Sequence, residues 1–550
     1  MTAELLIKNC VIFDGFNYRP EVSAMAVASG KVMDLGENLD HLVDEQTKVV
    51  DAAGGLVMPG FIDAHVHPIE GGLEHSRCDL AGINTLEGLL EAIEAYANAN
   101  PNLEWIIGGG WQIATFPSGT PMAADLDRIV PDRPVYLPNR DHHGTWVNST
   151  ALRLAGISAD TPDPVDGRIE RDGRGNPTGT LHEGATNLVK RFIPKDTFDE
   201  KYSALLVGQR LLHSVGVTGW QDAIVGNYGG HSDTREVYQS ALDNGDLKSN
   251  VVAALWWERD RGLEQLGELR AKRLEHQAAG FKATSIKLML DGIPENHTAA
   301  LGEPYRSEGC GCAGDHRGIL FIDSNELNDI VAALDADCWQ VHVHAIGDRA
   351  VTRALDAFEF ALAVNGTTDN RHHIAHVQMV RPEDVVRFAK IGVTATIQAL
   401  WATNDPQMVN LNLPALGSER VSWQYPFGDL ARAGAQLAAG SDWPVTSPNP
   451  WKAIHAAVNR TLWEGDADYN EKPLNIEQAL TLEQMLAAYT SGSARINHQE
   501  DVGVLKPGFR ADFVITNRDP FTASSMKIVD TLSVATYVGG VEMKVNPNAF

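Results

Sequence analysis

Eight short apolar runs recur between positions 57 and 442, with helical segments between them. They are Val57–Val66, Gly216–Trp220, Val251–Leu255, Thr284–Met289, Gln340–His344, His373–His376, Gly392–Thr396 and Gln436–Asp442. Runs of this kind suit strands buried on both faces. Their alternation with helices is the pattern of a parallel α/β architecture. Eight such units predict a (β/α)8 TIM barrel, whose active site sits at the C-terminal ends of the strands.

The ends of these runs carry chemistry. The first is apolar except at Asp63 and His65, and it closes in His65-Val66-His67-Pro68. Residues i and i+2 of a strand point to one face, so both imidazoles can reach one metal ion. A lone His-x-His is a weak motif. Here His344 and His376 end later runs, and Asp442 ends the last. Four histidines of this kind fit a divalent metal site, one or two ions with zinc expected, that keeps a position open for water. A metal lowers the pKa of bound water towards ~7. A nearby carboxylate can take that proton and deliver it to a leaving group, and Asp442 is the candidate.

The flanks read differently. Residues 1–57 hold Leu5-Leu6-Ile7, Val11-Ile12-Phe13, Ala24–Ala28 and Lys31–Met33, with a Ser29-Gly30 hairpin turn between the last two. Residues 496–550 hold Phe513–Thr516 and two runs around Gly539-Gly540. So small a group of strands needs a partner sheet. The two ends are therefore expected to form one β-sandwich, with the barrel over 58–495. Residues 68–215 are too long for one connection and are expected to form an inserted subdomain above the catalytic face. Within it Leu86–Ala99 predicts a helix, Pro134–Leu137 a strand and Gly167–Gly175 a polar turn.

A net charge of −27 disfavours nucleic acid and anionic membrane surfaces as partners. The five cysteines show no disulfide framework and suit a reducing compartment. No signal peptide or membrane span is read, so the expected location is cytoplasmic. The expected partner is a small-molecule substrate, and a homodimer is open.

The chain resembles the metal-dependent amidohydrolase superfamily, and within it the YtcJ-like branch. The carrying residues are Pro59–His67, His342–Ala350, His376 and Gly440-Ser441-Asp442, with Asn148–Leu152 and Gly508–Asp512 in support. The resemblance implies hydrolysis of C–N bonds other than peptide bonds in amide-like substrates. It also matches Lys287 to a fourth-strand lysine that some members carboxylate to bridge two metals. Burial lowers a lysine's pKa, and the neutral amine is what carbon dioxide attacks. The plainer reading pairs Lys287 with Asp291. The family often has Glu before the sixth-strand histidine, whereas this chain has Ala375.

Other features are weaker. Glu183 could reach the metals, an exposed glutamate being the simpler reading. His142 and His143 could contact substrate or be structural. Trp111, Trp146, Trp401 and Trp443 could line an apolar pocket or fill core. Cys310-Gly311-Cys312 with His316 reads better as a Gly-rich loop than as a metal site. The leading expectation is a metal-dependent hydrolase. The alternatives are an isomerase or lyase on the same barrel, or a metal-dependent binding protein without turnover.

Overall fold

The computed structural model describes residues 2–116, 119–228, 232–278, 280–306 and 315–545. Its centre is a sheet of eight parallel strands: β1 (Phe61–Val66), β2 (Val217–Val225), β3 (Asn250–Trp256), β4 (Lys282–Met289), β5 (Gln340–Ala345), β6 (His373–His376), β7 (Thr394–Ile397) and β8 (Leu437–Ala439). Neighbours pair in chain order. Each of the eight apolar runs thus supplies one barrel strand.

Where β8 meets β1, the chain closes the circle just past the strand ends. Asp442 N donates to His65 O at 2.8 Å, and His67 N donates to Trp443 O at 2.9 Å. The buried Asp63 carboxylate accepts Ser441 N at 3.0 Å and Ser441 Oγ at 2.6 Å. A Cβ on Gly440 would lie 2.6 Å from His65 N, so only glycine permits this approach.

The run Val57–Val66 is not one strand. It breaks at Gly60, where a Cβ would meet the Thr218 side chain at 2.3 Å. Leu56–Pro59 instead joins a six-stranded sheet, parallel to Val11–Phe13 and antiparallel to Phe513–Thr516. That sheet mixes strands from both ends of the chain. It packs on a four-stranded sheet of Leu5–Lys8, Ala24–Ala28, Lys31–Gly36 and Lys48–Asp51. Leu5, Ile7, Met25, Val27, Val57 and Phe513 fill the space between the two sheets. Ser29 and Gly30 both have positive φ, 51° and 71°, as a two-residue hairpin turn requires.

Helices Pro68–His75 and Phe198–Ser214 pack against each other beside the barrel. The second begins with a capping box, Thr197 with Glu200. The excursion between them, 76–197, is narrower than the expected insertion. It builds a second six-stranded sheet, and Leu86–Ala99 is its longest helix. The stretch read as a polar turn, 167–175, is strand over Gly167–Arg171 and pairs with Pro177–Glu183. The core of the insertion, including Leu89, Ile93 and Trp146, is continuous with Ile293, Leu301, Ile346 and Met379. Those four follow β4, β5 and β6, so the insertion is held over the strand ends. Among the described residues, no helix is long and apolar enough to cross a membrane.

Candidate metal centre

A cavity of about 1170 Å³ opens at the C-terminal ends of the strands. His65, His67, Lys287, His344, His376 and Asp442 all line it. Each sits at or just beyond a strand end, which is how residues up to 377 positions apart meet.

Asp442 is the hub. Its Oδ1 lies 3.2 Å from His65 Nε2 and 3.1 Å from His67 Nε2, and its Oδ2 lies 4.0 Å from His376 Nδ1. One donor atom each from His65, His376 and Asp442 falls within 4.8 Å of the others. The rings of His344 and His376 are 4.4 Å apart. His344 Nε2 and His376 Nδ1 are buried and make no hydrogen bond. Orphaned imidazole nitrogens are costly unless something binds them. With a carboxylate beside them they form a donor set that fits a divalent cation.

The electrostatics agree. Burial, then the charge of Lys287, pushes His65 down to about 3. Burial drives His344 and His376 well below the usual imidazole range. Neutral imidazole is the form that binds metal. Burial would raise Asp442, but the neighbouring His65 and His67 hold it well below the usual carboxylate range.

Lys287 is 2% exposed, and burial lowers it to about 7, against the opposing charge of Asp442. Its expected alternative partner is occupied elsewhere. Asp291 accepts backbone N–H groups of Ala300, Ile346 and Gly347 at 2.9, 3.0 and 2.8 Å, and lies 3.7 Å from His344 Nε2. Asp291 thus braces the loop after β5, while the Lys287 amine is left to the cavity.

His376 lacks a carboxylate neighbour at Ala375, and other groups support it. Trp401 stacks on its ring at 5.1 Å and 5°, and Gln398 Oε1 accepts its backbone N–H at 2.9 Å. His65 is held from below, with Nδ1 2.9 Å from His342 Nε2. His342 stands two residues before His344, on the same face of β5. That spacing was a signal for this role, as was Asp63 two residues before His65.

The insertion adds His143 and Glu183, which also line the cavity. Glu183 is buried, not exposed as expected. Its Oε1 lies 2.9 Å from His143 Nδ1 and accepts Thr298 Oγ1 at 2.6 Å. Burial would lower His143, but Glu183 pushes it up to about 9. His142 lies 3.0 Å from Glu74 and 3.5 Å from Glu70.

Trp111 is not brought to the cavity. It is 1% exposed in the core of the insertion, its indole N–H donates to Leu137 O at 2.8 Å, and it meets Phe116 and Trp146 edge-on. Trp146 is core too, whereas Trp401 and Trp443 line the cavity. Cys310 and Cys312 lie outside the described residues. His316 Nε2 meets His297 O at 2.8 Å.

Comparison with known proteins is consistent with this geometry. The YtcJ protein of Bacillus subtilis (strain 168) is 30% identical over 478 residues, 86% of each chain. An N-substituted formamide deformylase of Arthrobacter pascens is 25% identical over 533 residues, 94% of each. A solved structure of an uncharacterized metal-dependent hydrolase from Pyrococcus furiosus aligns with a TM-score of 0.68 at 27% identity, covering 94% of this chain and 100% of that one. Residues 48–543 match the amidohydrolase family profile. With strand-end histidines and Asp442 converging on one barrel cavity, the chain belongs to the amidohydrolase family, in its YtcJ-like branch.

Proposed function

We propose that this protein hydrolyses a C–N bond of an amide-like small molecule, an amide, N-acyl compound or carbamate. The carrying observation is the placement of Asp442, whose carboxylate touches His65 and His67 at the head of the cavity. His65, His67, His344, His376 and a carboxylated Lys287 would hold one or two divalent ions, with zinc suited to this donor set. When bound, such an ion activates water at neutral pH and polarises a carbonyl. Carboxylation of Lys287 is addition of its neutral amine to carbon dioxide with loss of one proton, giving a carbamate. The Asp442 carboxylate takes a proton from the attacking water and returns it to the leaving nitrogen. The cavity walls carry Asp141, Glu258, Asp260 and Asp466 together with Arg140, Lys190, Arg259 and Lys452, a mixed polar lining that suits a polar small molecule. The deformylase relative supports N-formyl compounds as the first class to try.

The test is a panel of N-formyl, N-acyl and carbamate compounds, followed by amine release. We expect turnover by metal-loaded protein, loss on chelation and recovery on reloading. No amine release from any class, or full activity in metal-free protein, would overturn the proposal.

A further inference from the structure

We propose that His143, supplied by the insertion and aimed by Glu183, is a catalytic residue whose Nε2 hydrogen-bonds the substrate's carbonyl oxygen. The inference rests on the hydrolase reading above and names a group that reading does not use.

The ring is fixed on one side. Both Glu183 oxygens lie near His143 Nδ1, at 2.9 and 3.0 Å. The backbone holds it as well, because Asn296 Nδ2 donates to His143 O at 3.2 Å. With Nδ1 engaged, Nε2 is the free edge. It makes no hydrogen bond among the described residues, and the residue lines the cavity. The ring stands 5.6 Å from that of His344, centroid to centroid. His143 therefore stands in the cavity lining beside a proposed metal ligand.

The support behind the ring is built at a conformational cost. Glu183 has φ 50° and ψ −128°, a sparsely populated region for a residue with a side chain. Such strain persists only where surrounding structure enforces it, and it clusters at functional sites. Here Thr298 Oγ1 donates to Glu183 Oε1 at 2.6 Å, and Asn296 Nδ2 reaches the same oxygen at 3.4 Å. Gly292 makes room for them, since a Cβ there would lie 2.3 Å from Glu183 Oε1 and 2.0 Å from Thr298 Oγ1. A carboxylate that orients an imidazole while its other nitrogen faces substrate is the logic of a catalytic dyad. The arrangement also gives the insertion a chemical task, with the barrel holding the metal and the insertion gripping the reacting carbonyl.

The test uses metal-loaded full-length His143→Gln, with Glu183→Gln as a second variant that keeps the side-chain shape. One readout is independent of turnover: calorimetric binding of methylphosphonate, a tetrahedral anion that mimics the developing oxyanion. We expect wild type to bind it, and both variants to bind it at least about tenfold more weakly, with metal content unchanged. On a substrate found in the panel, kcat should fall about 10²–10³-fold with little change in KM, as for loss of one oxyanion donor. Unchanged methylphosphonate affinity in both folded variants, or no binding by wild type, would overturn the proposal. If no panel substrate is turned over, the hydrolase reading fails while the binding comparison still decides whether His143 grips an oxygen.

Discussion

His342 Nε2 lies 2.9 Å from His65 Nδ1, and both rings are buried. That contact occupies one nitrogen of His65 and leaves Nε2 to face Asp442. His342 is itself packed at 4.1 Å on His373, whose Nδ1 lies 2.8 Å from Thr396 Oγ1. Three histidines thus run from the metal centre down the barrel interior. Partners that orient a ligand are typically worth about 10–100-fold in metal affinity. His342→Leu should weaken metal binding by about that factor, measured by competition with a chromophoric chelator. Unaltered affinity would mean that the barrel walls alone orient His65.

Lys287 makes a separate prediction. Its amine forms no ion pair among the described residues, Asp442 acting on it only at longer range and Asp291 being taken up by three backbone N–H groups. If Lys287 is carboxylated and bridges two ions, they should sit about 3.5–4 Å apart. Lys287→Ala should then lose about one ion per chain, and short carboxylic acids should partly restore activity. Elemental analysis decides it. Unchanged metal content and rate in the variant would exclude Lys287 as a ligand.

Away from the site, Asp335 makes a prediction about stability. This buried carboxylate accepts from Asn365 Nδ2 at 2.9 Å and Thr368 Oγ1 at 2.7 Å, and lies 2.9 Å from His372 Nε2. It ties helix Ser324–Ala336 to the loop that leads into β6. Burial would raise its pKa, but these hydrogen bonds, led by that of His372, hold it well below the usual range. A carboxyl depressed on folding stabilises above its unfolded pKa of about 3.9 and loses that contribution as pH falls through the folded value. Asp335→Asn should therefore be less stable by about 1.5–3 kcal/mol near neutral pH. The gap should narrow below pH ~4. Urea unfolding at a series of pH values measures this, and a gap that widens in acid would reverse the assignment.

The barrel was legible because its strands are buried on both faces and so read as apolar runs without alternation. Their ends were legible because His and Asp interrupt those runs. The break at Gly60 was not. Val57–Ile62 is an unbroken non-polar stretch, and only the approach of Thr218, far along the chain, divides it at Gly60. Gly167–Arg171 was misread because Ile169 is its single apolar side chain, set among Arg168, Glu170 and Arg171, and the buried Gly167 carries no side chain to show the alternation. Trp111 and Trp401 look alike in sequence, yet one fills core and the other stacks on His376. Glu183 was misread for the same reason. Its partners His143 and Thr298 stand 40 and 115 positions away, and only the docking of the insertion makes it a buried anion.

Asp442 carries the most exacting prediction. Its main-chain N–H closes the barrel on His65 O, so the carboxylate is held by backbone as well as by histidines. Asp442→Asn keeps that backbone bond and the side-chain shape, but an amide is a poor base. Proton transfer by a positioned group is typically worth about 10²–10⁴-fold. We expect kcat to fall by at least the lower of these factors. Metal content should drop much less than in His65→Ala, which removes a donor atom outright. The two variants fail differently only if Asp442 moves protons rather than merely filling the coordination sphere. Elemental analysis beside saturating-substrate kinetics separates the cases. A near wild-type rate in Asp442→Asn would leave the metal site standing and remove the proposed proton shuttle.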